Sequence, residues 1–192
     1  RPSTSSAKVA GMSPTPTSET ITLAGGCFWC VEAVYERVRG VLGVESGYSN
    51  GQAERQNYEQ VCGGDTGCAE VVRVRFDPAQ IGLRELLEIF FVMHDPTTLN
   101  RQGNDVGTQY RSGIYFHTPE QERVAREVVA EVNAKVGGRV VTEIEPERHY
   151  WRAEDYHQHY FAKHPGQGYC AFVVAPKVEK FRKTFAQRVR DA

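Results

Sequence analysis

A cysteine stands between two glycines and two aromatic residues in residues 25–30, which read Gly-Gly-Cys-Phe-Trp-Cys. Apolar residues alternate before this segment and recur at helical spacing after it, so Cys27 is predicted to lie where a strand, a glycine turn and a helix meet. The unpaired N–H groups at a helix N-terminus favour the thiolate, which is the nucleophilic form of cysteine. Phe28 and Trp29 would add an apolar wall suited to a small hydrophobic group. The segment indicates a nucleophilic site, although buried core positions would give the same pattern.

The spacing Cys27-x-x-Cys30 allows two further interpretations. It is the spacing of a dithiol redox pair in thioredoxin-like proteins. It could also be half of a zinc site completed by Cys62 and Cys68, although zinc usually prefers a shorter spacing within each pair. The residues of this segment alone do not decide between a dithiol redox pair, a zinc site and a single nucleophilic cysteine.

The elements that must position these residues alternate between strands and helices. Residues 43–68 hold six glycines with little periodicity and are predicted to form a long irregular loop. Strands are predicted near residues 20–24, 70–76, 112–117 and 140–145, and helices near 27–40, 83–95, 118–132 and 178–185. Residues 153–163 are predicted to form a short helix or turn. This order favours an α+β fold, a two-layer α/β sandwich of ferredoxin-like type with long irregular loops. A doubly wound sheet is the alternative, but no G-x-G-x-x-G motif supports it.

Composition limits the class of protein. The chain has 192 residues, of which 23 are Lys or Arg and 24 are Asp or Glu, a balance that argues against a dedicated nucleic-acid binder. No apolar run approaches ~18 residues, so no membrane span is expected. Ser, Thr and Pro supply 12 of the first 20 residues, which predicts a disordered tail over 1–18 and one catalytic domain over 19–192.

Four blocks of sequence, met in order over about residues 20–172, resemble the peptide methionine sulfoxide reductase A family. The first is Gly-Cys-Phe-Trp at 26–29. The second is Asn-Tyr-Glu-Gln-Val-Cys-Gly-Gly-Asp-Thr-Gly at 57–67 with Ala-Glu at 69–70. His-Asp-Pro-Thr at 94–97 and Gly-Thr-Gln-Tyr-Arg-Ser at 107–112 form the third, and Ala153-Glu154 with His157-Gln158 and Tyr160 the fourth.

The resemblance implies a reductase for methionine S-sulfoxide, free or in proteins, that needs no cofactor or metal. Cys27 would attack the sulfoxide sulfur, and Glu70, held protonated, would give a proton to the oxygen. Tyr58 and Tyr110 would hydrogen-bond that oxygen, and Asp105 would support the polar network through water or backbone. Phe28 and Trp29 would bind the S-methyl group. Cys27 would become a sulfenic acid, condense with a second thiol, and be regenerated by thioredoxin.

The second thiol has two candidates. Many family members carry a recycling cysteine where this chain has Cys170, in Gly168-Tyr169-Cys170, and this residue is favoured. Cys30 stands where most members have glycine, and it is the alternative because it lies one helical turn from Cys27. Cys68 stands where many members have histidine, and Cys62 and Cys68 are interpreted as packing thiols.

The remaining charged residues give weaker signals. The six histidines form no convincing metal set, and His157 is interpreted as a structural residue that orients residues 153–160. The basic face of the C-terminal helix is interpreted as solvated. A monomer is expected, with no nucleic-acid or membrane partner. Free thiols and thioredoxin recycling favour the cytoplasm, with an exported or processed form as the alternative.

Overall fold

The computed structural model describes residues 18–51 and 67–191, which form an α+β fold. Nearly all of the predicted tail over 1–18, together with Tyr58 and Cys62, lies outside the described residues. No helix of the described part has the length and apolar character needed to cross a membrane. The elements in chain order are β1 (Glu19–Gly25), α1 (Phe28–Tyr35), β2 (Val41–Ser49), β3 (Ala69–Phe76), α2 (Leu83–Met93), β4 (Arg101–Gln102), β5 (Asp105–Val106), β6 (Ser112–Phe116), α3 (Pro119–Lys135), β7 (Glu143–Pro146), β8 (Trp151–Arg152), α4 (Tyr160–Lys163) and α5 (Ala175–Thr184).

Six strands form one mixed sheet in the order β7-β6-β1-β3-β2-β8. Only β6 and β7 pair in parallel, and the other neighbours in this sheet are antiparallel. The four central strands and the helices α1 and α2 follow one another as β-α-β-β-α-β, which is the ferredoxin-like arrangement. The predicted fold class is therefore confirmed.

The two faces of the sheet differ because side chains alternate along each strand. On one face Ile21, Leu23, Val72 and Val74 are fully buried beneath the helices and form the main core. The opposite face holds a small cluster of Ala24, Ala69, Val71 and Tyr115, with Tyr150 packed against it. Residues at even positions of β3 face the helices, and this places Glu70 on the side of the sheet where α1 begins.

The predicted loop over residues 43–68 was wrong in its first part, because Val41–Ser49 is the strand β2. Gly47 in this strand allows close packing, because a Cβ atom there would stand 2.5 Å from the carbonyl oxygen of Trp151. Helix α1 is also shorter than predicted, since it ends at Tyr35 instead of running to Gly40. Gly40 has a φ angle of +93° and belongs to the turn that leads into β2.

Candidate active site

Cys27 lies between the end of β1 and the first residue of α1, as the sequence predicts. It is the N-cap residue, and its carbonyl oxygen accepts hydrogen bonds from the N–H groups of Cys30 and Val31 at 3.1 and 3.4 Å. The preceding residue, Gly26, has a φ angle of +93°, and a Cβ atom there would stand 2.7 Å from Cγ of Gln102. The turn that presents the Cys27 thiol therefore requires glycine at position 26.

A cavity of about 360 Å³ opens over Cys27. Its polar wall includes Glu70, Asp105 and Gln109. Its aromatic wall consists of Phe28, Trp29, Tyr48, Tyr110, Tyr156, His157 and Tyr169. A thiol and a carboxyl group thus share an aromatic-lined cavity, which suits a small apolar group that carries one polar oxygen.

Glu70 is 8% exposed and projects from β3 toward the start of α1. The backbone N–H of Phe28 donates a hydrogen bond to its Oε1 atom at 3.4 Å. Burial raises the pKa of the Glu70 carboxyl to about 8, against the opposing effect of the Phe28 N–H. The carboxyl therefore keeps its proton at neutral pH and can act as an acid.

The Cys27 and Cys30 thiols interact, and this interaction shifts their pKa values in opposite directions. The contact with Cys30, then burial and the nearby Glu70, raise the pKa of Cys27 well above its usual value. The contact with Cys27 and the positive charge of Lys177 lower the pKa of Cys30 to about 7. The sequence suggested that the helix N-terminus makes Cys27 a thiolate. In the structure burial and the neighbours of Cys27 raise its pKa, so Cys27 is not the thiolate of the resting pair.

The two aromatic residues after Cys27 are held from several sides. Trp29 donates a hydrogen bond from Nε1 to Nδ1 of His157 at 3.1 Å, and its ring stacks on Tyr160 at a centroid distance of 3.8 Å. The Phe28 ring packs against Tyr48 and His157 at 5.5 and 5.1 Å. His157, predicted to be a structural residue, also forms part of the cavity wall.

Tyr110 and Asp105 both line the cavity, as expected for site residues. Burial and the nearby Glu70 raise the pKa of Tyr110 to about 12, so its hydroxyl stays protonated and can donate. Asp105 accepts a 2.6 Å hydrogen bond from the hydroxyl of Tyr169, so it has a direct link to a side chain of the site, whereas links through water or backbone were expected. Tyr169 itself was missed, although its place next to Cys170 is a signal that could have drawn attention to it.

Cys170 is fully buried and does not line the cavity over Cys27. It begins a π-helical turn, Cys170–Val174, that runs directly into α5. Its backbone N–H donates to Oε1 of Gln167 at 3.2 Å. Cys30 is thus the thiol that acts on the pKa of Cys27, whereas Cys170 does not line the cavity.

The zinc-site alternative requires Cys27, Cys30, Cys62 and Cys68 to surround one ion. Within the described ranges, the one group that could surround an ion is Glu32, Glu36 and His159, near the other end of α1. Cys68 does not join Cys27 and Cys30 in any such group, and Cys62 lies outside those ranges. In the group at the end of α1, Ser46 already donates to Glu32 at 2.9 Å and His159 pairs with Glu36.

Comparisons with known proteins agree with this geometry. The family model described as "Peptide methionine sulfoxide reductase" matches residues 19–189. The peptide methionine sulfoxide reductase MsrA of Saccharolobus solfataricus is 54% identical over 172 residues, which are 90% of this chain and 97% of that protein.

Solved structures give the same answer. Mxr1 from Saccharomyces cerevisiae in reduced form superposes with a TM-score of 0.75 at 40% identity, over 85% of this chain and 94% of that one. Mxr1 in complex with Trx2 superposes with a TM-score of 0.54 at 30% identity, over 80% and 91% of the two chains. The chain belongs to the peptide methionine sulfoxide reductase family.

Proposed function

We propose that the chain reduces methionine S-sulfoxide, free and in proteins, with Cys27 as the nucleophile and Glu70 as the acid. As a member of its family it is an oxidoreductase, a methionine sulfoxide reductase. The observation that carries the assignment of roles is the shared cavity, where a thiol at a helix N-terminus faces a buried carboxyl whose pKa is about 8. Phe28 and Trp29 receive the S-methyl group, and the hydroxyls of Tyr110 and Tyr58 hold the sulfoxide oxygen.

In the first half-reaction the Cys27 sulfur attacks the sulfoxide sulfur while Glu70 gives its proton to the sulfoxide oxygen. The Cys27 proton passes to the neighbouring Cys30 sulfur, whose pKa of about 7 leaves much of it as thiolate at neutral pH. The oxygen moves to Cys27, methionine leaves, and the products are a Cys27 sulfenic acid and a Cys30 thiol. Methionine sulfoxide is reduced by two electrons and Cys27 is oxidised by two.

In the second half-reaction a thiol attacks the sulfenic sulfur, an S–S bond forms, and water leaves. The family resemblance favours Cys170, but the contact between Cys27 and Cys30 supports Cys30 as the first resolving cysteine. Residues three apart in an α-helix have Cα atoms about 5 Å apart, which falls within the range that a disulfide spans. Cys170 then serves as a later acceptor in a relay, for which its buried segment must open.

Thioredoxin is the proposed reductant that returns the disulfide to two thiols. The support is the superposition on Mxr1 in complex with Trx2. We further propose that residues 19–192 act as one catalytic domain and as a monomer. A reducing compartment such as the cytoplasm suits a chain whose thiols must be regenerated.

A single turnover tests these roles. Fully reduced, chelator-treated protein is mixed with methionine S-sulfoxide without a reductant, quenched, alkylated and mapped by mass spectrometry. One methionine per chain and a Cys27–Cys30 disulfide are expected. No methionine, or no oxidised thiol at Cys27, would overturn the proposed function.

Three cysteine variants assign the thiols. Cys27→Ser should form no methionine, whereas Cys30→Ser should form methionine but accumulate the sulfenic acid. Cys68→Ser is the matched control, because it also removes one buried thiol but lies outside the cavity lining. Wild-type disulfide formation in Cys30→Ser would assign resolution to Cys170 and leave the first half-reaction intact.

A further inference from the structure

The hydroxyl of Tyr169 connects the second cysteine to an acidic side chain of the cavity. Its oxygen lies 3.9 Å from Sγ of Cys30, within hydrogen-bond range for sulfur, and 2.6 Å from Oδ2 of Asp105. A hydroxyl has one hydrogen to donate and two lone pairs that accept. Tyr169 can therefore donate to Asp105 and accept from a Cys30 thiol at the same time.

The Tyr169 ring is fixed by its surroundings. It meets the Trp29 ring edge to face, with a centroid distance of 5.8 Å and an angle of 74°. The next residue, Cys170, is fully buried and begins the turn that leads into α5. The contacts of the ring, the buried backbone at Cys170 and the hydrogen bond to Asp105 thus fix the position of the Tyr169 hydroxyl. A Cys30 thiol that hydrogen-bonds to this hydroxyl is held in one orientation.

We propose that Tyr169, held by Asp105, is a positioning residue that orients the Cys30 thiol for attack on the oxidised Cys27. This inference rests on the proposed function, since it assumes that Cys30 resolves the sulfenic acid. It adds a residue to the second half-reaction and assigns Asp105 the task of holding Tyr169.

The step that Tyr169 assists is balanced by the groups present. The Cys30 sulfur forms an S–S bond to Cys27, the S–O bond of the sulfenic acid breaks, and the hydroxide leaves as water with a proton. Cys30 gives up its thiol proton to solvent, and one proton from solvent joins the leaving hydroxide, so the Tyr169 oxygen orients the thiol and takes no proton itself. No external oxidant or reductant is consumed.

The test separates the two half-reactions in Tyr169→Phe, which keeps the ring and loses only the hydroxyl. Reduced protein receives one equivalent of methionine S-sulfoxide, and samples quenched over time are assayed for methionine, for sulfenic acid trapped by a cyclic diketone, and for the Cys27–Cys30 disulfide. Disulfide formation should slow about tenfold relative to methionine formation, as for loss of one hydrogen bond. Disulfide formation at the wild-type rate would overturn the proposal, as would an equal loss of methionine formation.

Two further variants keep the result unambiguous. Asp105→Ala removes the anchor without touching the tyrosine ring, and it should slow disulfide formation relative to methionine formation. Tyr150→Phe is the matched control, because its hydroxyl donates to Glu45 on the other face of the sheet, and its disulfide rate should equal that of the wild type. Wild-type protein that formed no methionine would overturn the proposed function itself, a result distinct from a wild-type disulfide rate in Tyr169→Phe.

Discussion

The Oε1 atom of Glu70 lies 3.4 Å from the backbone nitrogen of Phe28, the residue that follows the nucleophilic Cys27. The N–H group occupies one carboxyl oxygen and leaves the other to carry the acidic proton. The strand β3 thus fixes the acid relative to the first turn of α1, which carries the thiol. This backbone hydrogen bond therefore fixes the position of the Glu70 carboxyl relative to the residue next to Cys27.

Substitution of Glu70 should slow methionine formation and change its pH dependence. Loss of a positioned general acid typically costs about 10²–10⁴-fold, so we expect a loss of this size in Glu70→Ala. The pKa of Glu70 is raised to about 8, so the acid form is present below pH 8 and is lost above it. Single-turnover rates in the wild type should fall as pH rises through 8, with about a tenth of the carboxyls still protonated at pH 9.

Glu70→Gln is the control for this pH limb. The amide does not titrate, so the variant should be slow at every pH and should lack the fall around pH 8. If the same fall persisted in Glu70→Gln, another group would be responsible for it. Circular dichroism of each variant checks that the fold survives.

Lys177 should set the ionisation of Cys30. Its positive charge helps lower the pKa of that thiol to about 7, so Lys177→Met should raise the pKa and reduce the thiolate fraction at neutral pH. Thiolate absorbance in the ultraviolet, followed against pH in the reduced protein, measures this change. Lys180→Met is the matched control on the same helix, because it removes the same charge from an amine that donates to the carbonyl of Val92, and it should change the Cys30 titration less.

An unchanged titration in Lys177→Met would contradict this assignment. Other titratable groups also act on Cys30 and remain in both variants, namely Cys27, Asp105 and Tyr169. The difference between the two lysine variants therefore isolates the charge of Lys177.

His157 should act on substrate binding through Trp29. His157→Phe keeps an aromatic ring in the cavity wall but removes the acceptor at 3.1 Å from Nε1 of Trp29. The indole then loses a fixed orientation, so KM for a methionine sulfoxide peptide should rise several-fold while kcat changes less. Stability should fall by about 1 kcal/mol, as for the loss of one hydrogen bond.

A double-mutant cycle tests the route of this effect. If His157 acts through the indole, His157→Phe should raise KM no further in a Trp29→Phe background. Additive effects of the two substitutions on KM would show that His157 acts on the substrate independently of Trp29.

Local patterns were enough to predict the position of Cys27, because a strand, a glycine turn and a helix start leave signals within about ten residues. The ferredoxin-like order followed from the alternation of such elements. Strand β2 was missed because its glycines suit a loop by local criteria. Gly47 is explained only by the backbone and ring of residues more than 100 positions later in the chain.

The electrostatics of the site could not be predicted from the sequence. The pKa of Cys27 depends on burial and on contacts that form only in the folded chain. Lys177 reaches Cys30 from α5, and no motif joins these two positions. Tyr169 acquires its role in the same way, through a contact with Asp105 across 64 positions of the sequence.

Glu32 should make the protein less stable as pH rises. It is 1% exposed on α1 and accepts a 2.9 Å hydrogen bond from Ser46, and burial together with the nearby Glu36 raises its pKa to about 7. The folded chain therefore keeps a proton on Glu32 that the unfolded chain releases near pH 4.5. The contribution of this group to the free energy of unfolding is full below pH 4.5 and is lost as pH rises through 7.

Glu32→Gln removes this loss, because the amide has no proton to release and its oxygen still accepts from Ser46. Guanidinium unfolding measures the free energy of unfolding of both proteins at pH 5 and pH 8. The value for the variant minus the value for the wild type should rise by about 1–3 kcal/mol from pH 5 to pH 8. Glu70 and His94 titrate equally in both proteins, so they cancel in the difference. Glu36→Gln should lower the pKa of Glu32 by removing a like charge, and so should recover part of the same gain. A difference between wild type and Glu32→Gln that stayed constant with pH would mean that Glu32 is already ionised in the folded chain.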